Sequence, residues 1–284
     1  MAVHDLRLSA IENFDPVHWH DVLLAGPKPD EQIAHLQQIV MDAGRAGIQT
    51  IGYNFSLAGV AGRIPGSFAR GGAVSVGMNG VDETPIPDGM VWNMVWDRDR
   101  VVSGTGGTLP EISHDELWNR LEYFLTRMIP VAEEAGVRLA LHPDDPPVSR
   151  VRRQPRLVWT HDLYQKALDL VPSDANALEF CLGTLMEMSD GDIYETIRRY
   201  VGQNRVAYIH FRNVVGKAPD YREVFIDEGD LDMHRVMTIL HELEFDGVLI
   251  PDHTPHMTCG APWHAGMAYA MGYMMALHRS VRGV

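Results

Sequence analysis

The sequence predicts an α/β protein whose parallel strands form a (β/α) barrel of the TIM type, on three observations. Apolar stretches alternate with amphipathic helical ones along much of its 284 residues, the pattern of a parallel sheet joined by right-handed crossovers. Four of those stretches run straight into a metal-type ligand: Val137–His142 (VRLALH), Ala177–Cys181 (ALEFC), Val206–His210 (VAYIH) and Val248–Asp252 (VLIPD). The ligand closes the stretch each time, and a barrel carries its chemistry at the C-terminal ends of its strands.

The elements follow in order. Leu6–Ile11 reads as a short strand. Asp30 can cap a helix running to about Ala46, with Ile33, Leu36, Ile39 and Val40 on one face. Gly44 and Gly47 end it, and Ile48–Phe55 reads as a buried strand. Residues 56–90 are rich in Gly and Pro and lack helical periodicity, so a long functional loop is expected there. Val91–Trp96 reads as a hairpin arm, which makes 56–110 one irregular insertion. Ser113 followed by Glu116 is a capping-box pattern. The helix it opens has Leu117, Leu121, Phe124, Leu125 and Met128 as its stripe. Pro130 is expected to begin or kink the next turn before a stop at Gly136. Helices are expected at 160–170, 190–200 and 230–243, with Asp230 and Asp232 starting the last of these. A Met- and Ala-rich helix at 263–279 closes the chain. The absence of an internal repeat, low-complexity tract or linker makes 1–284 one domain.

Composition narrows the function. Hydrophobic content of 45% and charged content of 22% suit a globular protein. A net charge of −14 argues against nucleic acid or an anionic membrane surface as the main partner. It leaves an anionic small molecule open, because a bound cation dominates the field of its own site. Two cysteines, Cys181 and Cys259, make no disulfide scaffold. The first residues lack the basic start and apolar stretch of a signal peptide, and no apolar run is long enough to span a bilayer, so cytoplasmic residence is expected.

His142, Cys181, His210 and Asp252 together make a shell for a divalent transition metal. Singly, each has a plainer reading: Cys181 as a small buried hydrophobe, His142 as the end of a strand before a polar turn. Asp144 and Asp145 could be solvated in that turn. Arg212 could clamp a substrate carboxylate or pair with a nearby acid, and Asn213 also extends past its strand. With Asp252 facing the metal, His253 is free for proton transfer or supports the ligands. Glu223 could be catalytic or supporting. Tyr53 and Asn54 are expected to contact substrate from the barrel face, as are His256 and His264, which could equally be surface residues.

Longer segments carry a family resemblance: YNF at 53–55, IPVAEEAGVRLALHPDDPP at 129–147, PRLV at 155–158, FCLGTL at 180–185, HFRNV at 210–214, EGDLDM at 228–233 and PDH at 251–253. On these the chain resembles the mannonate dehydratases, which are xylose-isomerase-like TIM barrels, from about residue 40 to 275. The resemblance implies a Mn²⁺ or Fe²⁺ site at His142, Cys181, His210 and Asp252, a shell that also suits Co²⁺ or Zn²⁺. It also implies acid–base work by His253. Three positions depart from the family pattern, each on the substrate side: Pro255 where an arginine is expected, Ile226 where a histidine is expected, and Ala261 where a tyrosine is expected. Two N-terminal strand units of the family have no counterpart, and LRLSAIENFDPVHWHDV looks like its third strand. The count is therefore six barrel strands plus a hairpin, an open barrel whose edges a partner subunit or residues 56–110 should cover. A homo-oligomer is expected.

The implied activity is that of a metal-dependent lyase dehydrating a sugar acid, D-mannonate to 2-dehydro-3-deoxy-D-gluconate. One rival is a metal-dependent sugar isomerase or epimerase on the same barrel. The other is a non-catalytic barrel that binds a sugar acid or a metal.

Overall fold

A computed structural model of the chain describes residues 6–88 and 107–283. The first strand, β1 (Ala10–Glu12), is shorter than expected and is followed by α1 (His20–Leu24) and α2 (Pro29–Arg45). Asp30 does not cap α2. Pro29 takes the first helical position, where its missing N–H costs nothing, and Asp30 sits in the first turn. Ile33, Leu36 and Val40 are buried, as their spacing requires, while Ile39 is only partly buried against the same core. The next strand, β2 (Thr50–Tyr53), is buried throughout.

The described part of 56–90, residues 56–88, is not the irregular loop expected. It contains an antiparallel hairpin, β3 (Arg63–Ala69) and β4 (Ala73–Asn79). Pro65 and Gly66 break the apolar alternation inside β3, and its register shifts between Gly66 and Ala69, so no period of two was visible. The hairpin arm read at Val91–Trp96 lies outside the described residues.

Helix α3 (His114–Ala135) begins as its sequence dictates, with Ser113 Oγ accepting from the Glu116 N–H at 3.0 Å. Leu117, Leu121, Phe124, Leu125 and Met128 are all buried. Pro130 lies inside this one helix instead of opening a new turn, and Gly136 stops it in the left-handed region at φ 66°. Then come β5 (Arg138–Leu141), the small hairpin β6 (Arg150–Val151) and β7 (Gln154–Pro155), α4 (Leu163–Leu170), β8 (Asn176–Cys181), α5 (Leu182–Glu187), α6 (Ile193–Gly202), β9 (Val206–His210), β10 (Asn213–Lys217), β11 (Asp220–Val224), α7 (Met233–Glu242), β12 (Val248–Ile250) and α8 (Pro262–Arg282). Asp232 caps α7 by accepting from the Arg235 N–H, whereas Asp230 is spent on the Gly216 N–H.

The barrel sheet has six strands among the described residues, in the order β1-β2-β5-β8-β9-β12. Every pairing in it is parallel. It is nearly closed: β1 and β12 are its two edges. Alternation along the strands sorts the layers. Leu139, Leu141, Leu178, Phe180 and Ile209 face the helices in the main core, where Trp19, Tyr53, Phe55 and Phe124 also stack. Ala140, Ala177 and Tyr208 pack in a separate interior cluster.

A second sheet, antiparallel, has the order β10-β11-β4-β3. It starts directly beyond His210, so it stands at the C-terminal mouth of the barrel. The described part of 56–110 therefore pairs with β11 and not with the edges β1 and β12.

Candidate active site

Strand register brings the expected ligands together. Cys181 pairs with His210, and His210 with Ile250, so Asp252 follows two residues beyond that level. The ligand atoms of His142, Cys181 and His210 all lie within 4.8 Å of one another. Asp252 Oδ2 is 3.6 Å from His210 Nδ1 and 3.9 Å from Cys181 Sγ. His142 Nδ1 is 2.6 Å from the carbonyl oxygen of Pro143, which leaves Nε2 for the centre.

The donor set fits a divalent transition ion. His210 is buried, and neither of its ring nitrogens makes an aligned hydrogen bond, a costly state for buried polar atoms unless another group engages them. Burial alone would raise the Cys181 thiol. The Arg212 guanidinium and the neighbouring His142 and His210 rings instead bring it down to about 5, so the thiolate form that binds metals prevails at neutral pH.

Behind the ligands lies a buried charge network. Arg212 Nε is 3.1 Å from Cys181 Sγ and 3.1 Å from Asp252 Oδ2. Its Nη1 reaches Glu187 at 2.9 Å and its Nη2 reaches Asp145 at 2.7 Å. The donors expected to clamp a substrate are thus committed to protein partners. Gly183 makes room for this guanidinium, since a Cβ there would overlap it. The pair Asp144 and Asp145 is not a solvated turn: both are buried. Asp144 binds Arg156 and the N–H groups of Leu157 and Val158, while Asp145 binds Arg63 and Arg212. Burial and the Asp145 charge push Glu187 well above the usual carboxylate range.

On the open side stands His253, whose Nδ1 lies 3.0 and 3.1 Å from the two oxygens of buried Glu223. Arg63 Nη1 also comes within 3.1 Å of Nδ1 and 3.2 Å of Glu223 Oε1. Nδ1 cannot donate to Glu223 and accept from Arg63 at once. Burial would lower the His253 pKa, but the charges of Asp252 and Glu223 raise it, so Nδ1–H donates to Glu223 and Arg63 pairs with the carboxylate.

Other expected contacts do not join this group. Tyr53 points into the helix layer, its ring 5.2 Å from that of Phe124, because strand alternation turns it away from the barrel interior. Asn54 is buried. Asn213 spends its amide on backbone groups of Val214, Ile226 and Leu231. His256 is exposed and bridges Val74 through its backbone, and His264 is exposed in the first turn of α8. Ile226 is buried in the main core, and Ala261 precedes α8 at the surface.

Sequence reasoning missed Arg63, Tyr221, whose hydroxyl lies 3.4 Å from Asp145 Oδ1, Glu187, and Glu12 and Glu179, which lie beside His210. The first two lie on strands of the mouth sheet, whose hairpins carried no clear signal. Glu179 was findable: two residues before Cys181 on one strand, it shares that residue's face.

Comparison with known proteins identifies the family. Residues 96–283 match the model of the family described as D-mannonate dehydratase (UxuA). A mannonate dehydratase of Streptococcus uberis is 31% identical over 97% of this chain and 82% of its own length. One of Streptococcus pneumoniae is 29% identical over 87% of this chain and 69% of its own length. The crystal structure of mannonate dehydratase from Streptococcus suis serotype 2 superposes with a TM-score of 0.80 at 25% identity, covering 99% of this chain and 78% of that one. An L-ribulose 3-epimerase shares the fold, with a TM-score of 0.56 at 16% identity. With a family model spanning most of its length and a relative above 30% identity, this chain belongs to the D-mannonate dehydratase family.

Proposed function

We propose that the chain is a divalent-metal-dependent hydro-lyase that converts D-mannonate to 2-dehydro-3-deoxy-D-gluconate. The convergence of His142, Cys181, His210 and Asp252 at one end of the barrel, with the His253–Glu223 pair beside it, carries this reading. Those four residues would hold the ion, Mn²⁺ or Fe²⁺. When bound, the cation supplies Lewis-acid stabilisation of the charge that develops on the substrate as its α-hydrogen leaves.

The protein's own groups handle the proton. With Nδ1–H donated to Glu223, His253 has Nε2 as the atom that exchanges a proton with substrate. Its side chain is 42% exposed, so a ligand in the mouth can reach it. Arg63 balances Glu223, and Glu223 fixes the ring. The α C–H bond breaks, its electron pair forms the C=C bond as the β C–O bond breaks, and the hydroxyl leaves as water with the transferred proton. The enol then becomes the ketone.

The test is incubation of the Mn²⁺-loaded protein with D-mannonate and a panel of other aldonic acids. A 2-keto-3-deoxy product from D-mannonate is expected, with kcat lowered about 10²–10⁴-fold in His253→Asn. No such product from any aldonate overturns the reading. Interconversion of sugars without release of water would point to the isomerase alternative.

A further inference from the structure

We infer that Glu179 is the residue that fixes His210 in the orientation a cation requires, acting from inside the barrel. The inference rests on the metal-site reading above. Glu179 lies on β8 one layer below Cys181 and is fully buried. Its Oε2 accepts a hydrogen bond from the Tyr208 hydroxyl. Gly52 on β2 opens the space for that pair, since a Cβ there would overlap both Tyr208 Oη and Glu179 Oε2. Held in this way, Oε1 lies 2.8 Å from His210 Nε2 and 3.8 Å from His142 Nε2.

The opposite ring nitrogen, Nδ1, is the one near Asp252, at 3.6 Å. A neutral imidazole has one N–H and one lone pair. Nε2 and Oε1 are within reach but not aligned as the ring stands; a small turn of the ring that directs Nε2–H to Glu179 would leave the Nδ1 lone pair for the cation. Histidine ligands to metals commonly direct their other nitrogen to a carboxylate in this way, and losing that carboxylate typically weakens the metal about 10–100-fold. Glu12 Oε2 is also near, 3.4 Å from Nε2, but its side chain is 40% exposed, so its hold on the ring is looser. Glu12, Glu179 and His210 also have ligand atoms within 4.8 Å of one another. A second ion there would need His210 to give up its one remaining ring proton, so one ion per chain is expected.

The experiment is a calorimetric Mn²⁺ titration of the wild type, Glu179→Ala, Glu179→Gln, Tyr208→Phe and Glu12→Gln, each first checked for folding by circular dichroism. One Mn²⁺ per chain is expected. The Kd should rise about 10–100-fold in Glu179→Ala. Glu179→Gln should lose less, because its amide oxygen still accepts from Nε2–H. Tyr208→Phe, which frees Glu179 without removing it, should fall between the wild type and Glu179→Ala and serves if the alanine variant does not fold. Glu12→Gln should lose less than Tyr208→Phe. An unchanged Kd in both Glu179→Ala and Tyr208→Phe overturns this inference alone, as does a larger loss in Glu12→Gln, or two ions in the wild type and one in Glu179→Ala. Absence of Mn²⁺ binding by the wild type overturns the metal reading itself.

Discussion

Arg212 Nε donates to Cys181 Sγ across 3.1 Å, and through this contact a ligand-bearing strand end is tied to the buried charges behind it. The same guanidinium meets Asp145, Glu187 and Asp252, all on different segments. A guanidinium can do this because its five donors lie in a rigid plane, whereas an ammonium offers three from a single nitrogen. The contact gives the mouth of the barrel a fixed cationic wall, and anionic ligand atoms are held against it.

Replacing that wall should be costly. Arg212→Met keeps the volume but takes the guanidinium from buried Glu187 and from Asp252 and leaves Asp145 only Arg63, so a loss of about 3–5 kcal/mol is expected by urea unfolding of the metal-free protein. A loss below about 1 kcal/mol, the range of exposed ion pairs, would show that water reaches these carboxylates once the arginine is gone.

Cys181 should be a ligand through its thiolate. Cobalt-loaded wild type is expected to show a sulfur-to-metal charge-transfer absorption, and Cys181→Ser to lack it and to bind Mn²⁺ more weakly. An identical cobalt spectrum in the serine variant would remove Cys181 from the ligand set.

Glu223 should matter for turnover more than for binding. In Glu223→Gln the amide can still meet His253, but the charge that fixes Nδ1–H is gone and Arg63 keeps only Asp145. A kcat loss of at least about 10-fold is expected, below the ~10²–10⁴-fold contribution of the proton-transfer group itself, with KM little altered. A rise in KM at unchanged kcat would make Glu223 a substrate contact instead.

The grouping of the four candidate ligands was legible because each ends an apolar stretch and parallel register aligns strand ends; the approach of His142, Cys181 and His210 needed nothing else. The orientation of Tyr53 was misjudged by one residue of phase, which in a strand reverses the face. Arg63 was illegible for a different reason. Its strand pairs with β4, and β4 with β11 about 140 residues later, so its position depends on long-range pairing that no local pattern records. Asp145 lay in a turn whose polar letters read as solvated. Only the arrival of Arg63 and Arg212 from distant segments explains why it is buried.

Away from the site, His161 should make stability depend on pH. It is buried, and its Nδ1 lies 2.8 Å from Thr196 Oγ1, which itself donates to the Asp192 carbonyl, so Nδ1–H is the donor. Burial lowers its pKa below the ordinary value of 6.5, although Asp190, Asp162 and Asp192 oppose this. The folded state therefore takes up the proton less readily than the unfolded chain. The contribution is full above the unfolded pKa and is lost as pH falls from about 6.5 through the lower folded value. His161→Asn keeps a donor for Thr196 and does not titrate. The fall in Tm on going from pH 7 to pH 5 should thus be smaller in His161→Asn than in the wild type, both measured metal-free so that ligand protonation is common to the two. Equal falls would show that the protonated ring is accommodated in the folded state by the neighbouring aspartates.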